Sequence, residues 1–119
     1  MFARLMGLTS VSPGELHRLL GTEPVVAIDV NPRAQWLQAR VPGALNLDPL
    51  AFTDGDLPRD KDAALVFYCS KFMCRKAPAA ARRATGLGYV NVRVMSAGIS
   101  GWLSAKLPTH TGEPAVRPV

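Results

Sequence analysis

Two apolar runs limit the folds open to this chain. Val25-Val26-Ala27-Ile28-Asp29-Val30 is apolar on consecutive positions rather than on alternating ones. A strand of that kind needs cover on both faces, as a parallel strand between two helical layers has. Leu65-Val66-Phe67-Tyr68 is a second run, short and rich in β-formers. Helical signals alternate with such runs. Ser12, Pro13 and Glu15 make a capping box that predicts a helix through about Leu20, with Leu16, Leu19 and Leu20 on one face and Gly21 ending it. Pro32 opens a helix carrying Ala34, Trp36 and Leu37, with Trp36 expected in the core. Ala44–Leu47 reads as a short strand. The Ala-rich segment from Lys76 reads as a helix that tolerates Pro78 in its first turn and ends at Gly86 and Gly88. Val90–Met95 is the last predicted strand, Ser96-Ala97-Gly98 a tight turn and Ile99–Ala105 a last helix. The alternation predicts an α/β domain on a mainly parallel sheet.

At 119 residues and 48% hydrophobic, the chain suits one compact core. That domain is expected over 1–108, followed by a tail over 109–119 whose prolines predict an extended or mobile segment. The polar stretch Thr53–Asp62 reads as a solvated connection. No apolar run approaches the ~20 residues of a membrane span, so no membrane partner is expected. Residues 1–8 are too short and weakly apolar for a secretory signal, which predicts a cytoplasmic protein. Fourteen Lys and Arg against nine Asp and Glu suit an anionic ligand, or serve solubility alone. No basic block interleaves with aromatics, so no specific nucleic-acid partner is expected.

Two cysteines are too few for a disulfide framework, and chemistry is the better use for them. Cys69 and Cys74 with His17 and His110 show no zinc-type spacing, so neither a metal nor another cofactor is predicted. His17 reads as a surface histidine. Asp29 falls near the carboxyl end of its strand, where open α/β folds bind ligands, but a carboxylate there also accepts backbone N–H groups from a neighbouring loop.

Between the second apolar run and the Ala-rich helix lies Cys69-Ser70-Lys71-Phe72-Met73-Cys74-Arg75. A strand feeding a short loop into a helix surrounds the loop with unpaired amides and the positive end of the helix dipole. The same field lowers the pKa of a thiol at the loop's first position and favours the thiolate, the nucleophilic form. Lys71, Arg75 and Lys76 add positive charge. The predicted chemistry is a cysteine nucleophile acting on an anion; the alternative is a buried structural cysteine.

Three regions together resemble the rhodanese family over about Leu8 to Pro108. Ile28-Asp29-Val30, Gln35-Trp36 and Arg40-Val41-Pro42-Gly43-Ala44-Leu45-Asn46 look like its first signature. Tyr68-Cys69 begins the active-site loop. Gly88-Tyr89-Val90-Asn91-Val92, Gly98, Gly101-Trp102 and Leu107-Pro108 look like the second signature. The resemblance implies a rhodanese-like fold, a central five-stranded sheet flanked by helices, and a single-domain sulfurtransferase. Its cysteine takes a sulfane sulfur from a small anionic donor such as thiosulfate, holds it as a persulfide and passes it to a thiol or cyanide acceptor. Carried onto this chain, Cys69 is the nucleophile, the amides of Ser70, Lys71, Phe72, Met73, Cys74 and Arg75 hold the sulfur anion, and Lys71 attracts the donor.

The loop departs from the family at one point. Sulfurtransferases of the family usually have four residues between the cysteine and an arginine, whereas five separate Cys69 from Arg75, and Cys74 takes the arginine's place. The wider spacing is similar to that of rhodanese-fold phosphatases and arsenate reductases, although the loop lacks the acidic residue typical of those phosphatases. Asn31 and Ser96-Ala97 stand where the family often has arginine and a glycine pair. A non-catalytic sulfur-carrying or partner-binding role is the remaining alternative. Cys74 either forms a disulfide with an oxidised or persulfidated Cys69 or points into the packing between helix and sheet.

Overall fold

The strands follow the apolar runs. The computed structural model describes residues 8–114, with strands β1 (Thr9–Ser10), β2 (Val25–Asp29), β3 (Leu45–Asn46), β4 (Ala64–Tyr68) and β5 (Val92–Val94). Helices α1 (Pro13–Thr22), α2 (Arg33–Gln38), α3 (Lys76–Gly86) and α4 (Gly98–Ser104) alternate with them, and a short 3-10 turn at Asp54–Asp56 lies in the polar connection. The five strands form one sheet in the order β1-β5-β4-β2-β3, and every neighbouring pair is parallel.

Side-chain alternation along the buried strands makes two cores, one on each face. Ile28, Leu65, Phe67 and Val94 meet Ala77, Ala80, Ala81 and Ala84 of α3 on one face. Ala27, Val66 and Tyr68 meet Leu16 of α1 and Trp102 of α4 on the other. The small alanines let α3 lie close to the sheet. Trp36 is buried as predicted, and its indole N–H donates to the Ala44 carbonyl at 2.9 Å.

Several element ends differ from the sequence reading. The helix opened by the Ser12 cap does not stop at Gly21; it runs to Thr22, and Glu23 is extended. Pro24 supplies the reason, because a residue before proline is pushed out of the helical region. The last strand is shorter than Val90–Met95, since Val90 is turned to solvent and ladder pairing covers only Val92–Val94. β1, absent from the sequence reading, is a two-residue edge strand lacking any apolar run to mark it. After α4 the chain turns at Ala105–Lys106, and residues 109–114 are tied down. Arg40 and His110 exchange backbone hydrogen bonds at 3.0 Å, and the Gly112 N–H donates to the Leu37 carbonyl at 2.7 Å. Among the described residues, no helix is long and apolar enough to cross a membrane.

The strand order positions the loops. β2 leads through α2 to β3 on one side, whereas its neighbour β4 leads through α3 to β5 on the other. The carboxyl ends of β2 and β4 therefore flank the topological switch point, the crevice where open α/β sheets hold ligands. Cys69 is the first residue beyond β4.

Candidate active site

Alternation along β4 sends Leu65, Phe67 and Cys69 to the face covered by α3, and Cys69 is buried there. Its backbone is clamped from the opposite side. The Ile99 N–H of α4 donates to the Cys69 carbonyl and the Ser100 N–H to the Ser70 carbonyl, both at 2.9 Å. Gly98 makes this approach possible. A Cβ at Gly98 would lie 2.6 Å from the Lys71 nitrogen and 2.8 Å from the Cys69 oxygen, and the residue has φ +66°. Sequence reasoning found the Ser96-Ala97-Gly98 turn but not its contact with the cysteine loop, because spacing along the chain carries no record of which backbones touch.

The loop then doubles back. The Cys74 N–H donates to the Lys71 carbonyl at 3.2 Å, and Met73 has the left-handed φ of +74° that closes this turn. Cys74 returns to Cys69, with Cα atoms 6.5 Å apart, and the two are joined by a disulfide. Of the two fates predicted for Cys74, both apply, since its half-buried side chain also packs against the core beneath α3. A cavity of about 10 Å³ below the loop is lined by both cysteines, Met73, Ala77, Pro78, Val94, Met95 and Ser96.

Among the described residues, the amides of Ser70, Lys71, Phe72, Met73 and Arg75 have no acceptor within the protein. Arg75 occupies the N-cap of α3 without a side-chain cap, and its carbonyl accepts from the Ala79 N–H at 3.1 Å. Lys71, Arg75 and Lys76 are exposed, and none joins the ion pairs found among the described residues, Arg33–Glu113 and Lys61–Asp54. Unpaired donors and unneutralised cations thus surround the loop, a field suited to an anion. Phe72 and Met73 form an exposed apolar tip.

Asp29 pairs in register with Tyr68 beside the switch point, and its Oδ1 accepts from the Asn31 N–H at 2.8 Å. Burial pushes this carboxyl above the ordinary range, against the Asn31 hydrogen bond and the Arg40 guanidinium, which lower it, and its Oδ2 is buried without a partner. Asp29 therefore holds the β2 loop in place, as its structural reading predicted. Burial, then the Asp29 charge, raises the Tyr68 phenol; its oxygen accepts from the Val41 N–H at 3.0 Å. His17 lies outside the site, packed edge-on against Trp102 with ring centroids 5.9 Å apart. An open cleft of about 780 Å³ also lies away from Cys69, between α2 and residues 109–114, where Arg33 bonds Glu113 at 2.7 Å.

Comparison with known proteins agrees with this architecture. The model of the Rhodanese-like domain matches residues 12–105. The uncharacterized protein YibN of Escherichia coli K12 is 29% identical over 106 aligned residues, covering 87% of this chain and 73% of YibN. Human thiosulfate:glutathione sulfurtransferase is 29% identical over 113 residues, covering 83% of this chain and 96% of the human protein. The BH2092 protein of Bacillus halodurans has a solved structure that matches with a TM-score of 0.79 at 20% identity, over 87% of this chain and 77% of that one, and so shares the fold. With the family match covering most of its length, the chain belongs to the rhodanese-like domain family.

Proposed function

We propose that the chain is a sulfurtransferase in which Cys69 accepts a sulfane sulfur from a small anionic donor such as thiosulfate. The reduced Cys69 thiolate attacks the outer sulfur, sulfite leaves, and a Cys69 persulfide remains. A low-molecular-weight thiol or cyanide then removes the sulfur. One observation carries this reading: among the described residues, Cys69 begins a loop at the switch point in which the amides of Ser70, Lys71, Phe72, Met73 and Arg75 lack internal acceptors, that of Cys74 being used by the Lys71 carbonyl, and whose cations lack carboxylate partners. Preorganised donors of this kind stabilise the persulfide anion and the departing sulfite without a general base. The sulfurtransferase activity named for the human relative, which matches over almost its whole length, supports the same assignment.

The five-residue spacing from Cys69 to Arg75 favours a second reading, a phosphatase or arsenate reductase. Both readings meet in one assay. Protein reduced with a phosphine and desalted is expected to form thiocyanate from thiosulfate and cyanide and to leave p-nitrophenyl phosphate intact. Cys69→Ser should lower thiocyanate formation by at least about 10³-fold, as loss of a covalent nucleophile does. Thiocyanate made at the native rate by Cys69→Ser would remove Cys69 from the mechanism. Phosphate release without thiocyanate would favour the second reading. Inactivity in both, with no sulfite released from thiosulfate, would leave a binding role.

A further inference from the structure

We propose that Cys74 is a second catalytic cysteine, one that discharges the Cys69 persulfide as hydrogen sulfide within the loop. The inference rests on the sulfurtransferase reading and adds an intramolecular acceptor to it.

The loop already brings the two sulfurs together. The turn closed by Met73 and the Cys74–Lys71 hydrogen bond returns Cys74 to Cys69, and the 6.5 Å between Cα atoms lies within the roughly 4.4–6.8 Å that a disulfide spans. Each end of the pair is anchored. The Cys69 carbonyl is held by the Ile99 N–H, and Cys74 stands one residue before the N-cap of α3, where the helix dipole favours its thiolate. A thiolate held at disulfide distance from a persulfide has an effective concentration that no dilute external thiol matches.

The step balances as follows. The Cys74 thiolate attacks Cys69 Sγ in Cys69–S–SH, and the Sγ69–Sγ74 bond forms as the bond to the terminal sulfur breaks. The electron pair leaves with that sulfur as HS⁻, which keeps its proton. The sulfane sulfur is reduced, and the two cysteines are oxidised to the disulfide. In that state the space beneath the loop is about 10 Å³, near the minimum for one water molecule and too small for a sulfur donor. With the Cys69 thiolate consumed in the disulfide, the next cycle needs a thiol reductant, and a dithiol serves it best. A monothiol would form a mixed disulfide that the neighbouring cysteine reverses, whereas a dithiol completes the exchange through its own second thiol.

The test is a single turnover. Reduced, desalted, oxygen-free protein is mixed with an equimolar amount of thiosulfate and no acceptor. In the native protein about one equivalent each of sulfite and sulfide is expected, with the chain about 2 Da lighter than its reduced form. Cys74→Ser and Cys74→Ala should stop earlier, releasing sulfite but no sulfide and gaining about 32 Da on Cys69 until dithiothreitol is added. Native protein that releases sulfite, keeps the extra 32 Da and yields no sulfide would overturn the role of Cys74 while the sulfurtransferase reading stands. Sulfide released by the Cys74 variants as fast as by the native protein would overturn it as well. Absence of sulfite from every form would remove the sulfurtransferase reading, and this proposal with it.

Discussion

At Gly98 a single methyl group would collide with the backbone that carries Cys69. The neighbours are main-chain atoms at 2.6–2.8 Å, which cannot rotate aside, and the residue also needs a positive φ. Gly98→Ala is therefore expected to cost about 2 kcal/mol or more in urea unfolding and to lower thiocyanate formation at least about tenfold, with the fold retained by circular dichroism. Asp29 predicts a pH effect. Burial holds its folded pKa above 3.8, so the folded chain keeps this proton at pH values where the unfolded chain has lost it. Stability from this group is greatest in acid and declines as pH rises from 3.8 through the raised value. Asp29→Asn stays uncharged and keeps an oxygen for the Asn31 N–H. Its unfolding free energy should fall less steeply with pH over that range, as urea titrations at a series of pH values would show.

The loop from β4 to α3 collects positive charge that no carboxylate neutralises among the described residues. Replacing Lys71 and Arg75 together by alanine should raise KM for thiosulfate about 3- to 10-fold at low ionic strength, with a smaller change in kcat. The difference should shrink in about 0.5 M salt, where the Debye length falls well below 10 Å. Neither side chain caps α3, so the helix itself should survive. At this scale the sequence was largely legible. Continuous apolar runs identified β2 and β4, and the Ser12 capping box identified the start of α1. The position of the cysteine loop between strand and helix was legible too, because one short segment contains both its cysteines and its cations. Features made by distant segments were not, among them the Ile99–Cys69 clamp and β1, which is recognisable as a strand only through its pairing with β5.

Across the whole molecule, residues beyond α4 cover the Trp36 side of the sheet. Arg40 is 5% exposed, its guanidinium stacked 4.0 Å from the centre of the Trp36 ring, and the backbone exchange with His110 runs beside it. Removing 109–119 would uncover that stack and break the hydrogen bonds to Arg40 and Leu37. The shortened chain is expected to lose about 1–3 kcal/mol in urea while still releasing sulfite from thiosulfate, since none of the described residues lost lines the cavity beneath the loop. The docking of residues 109–114 was not legible, because two exchanged backbone bonds need no particular side chain. The sheet order also bears on synthesis. Thr9 pairs with Arg93, so β1 has no partner until β5, far along the sequence, has been made. At roughly 5–20 residues per second, that wait is on the order of ten seconds. During it, β2, β3 and β4 can already pair in register, whereas the free edge of β4 waits for β5, whose residues are not yet translated. A nascent chain of this design has a window in which chaperones can reach its strand edges, and that window closes only when Val92–Val94 emerges.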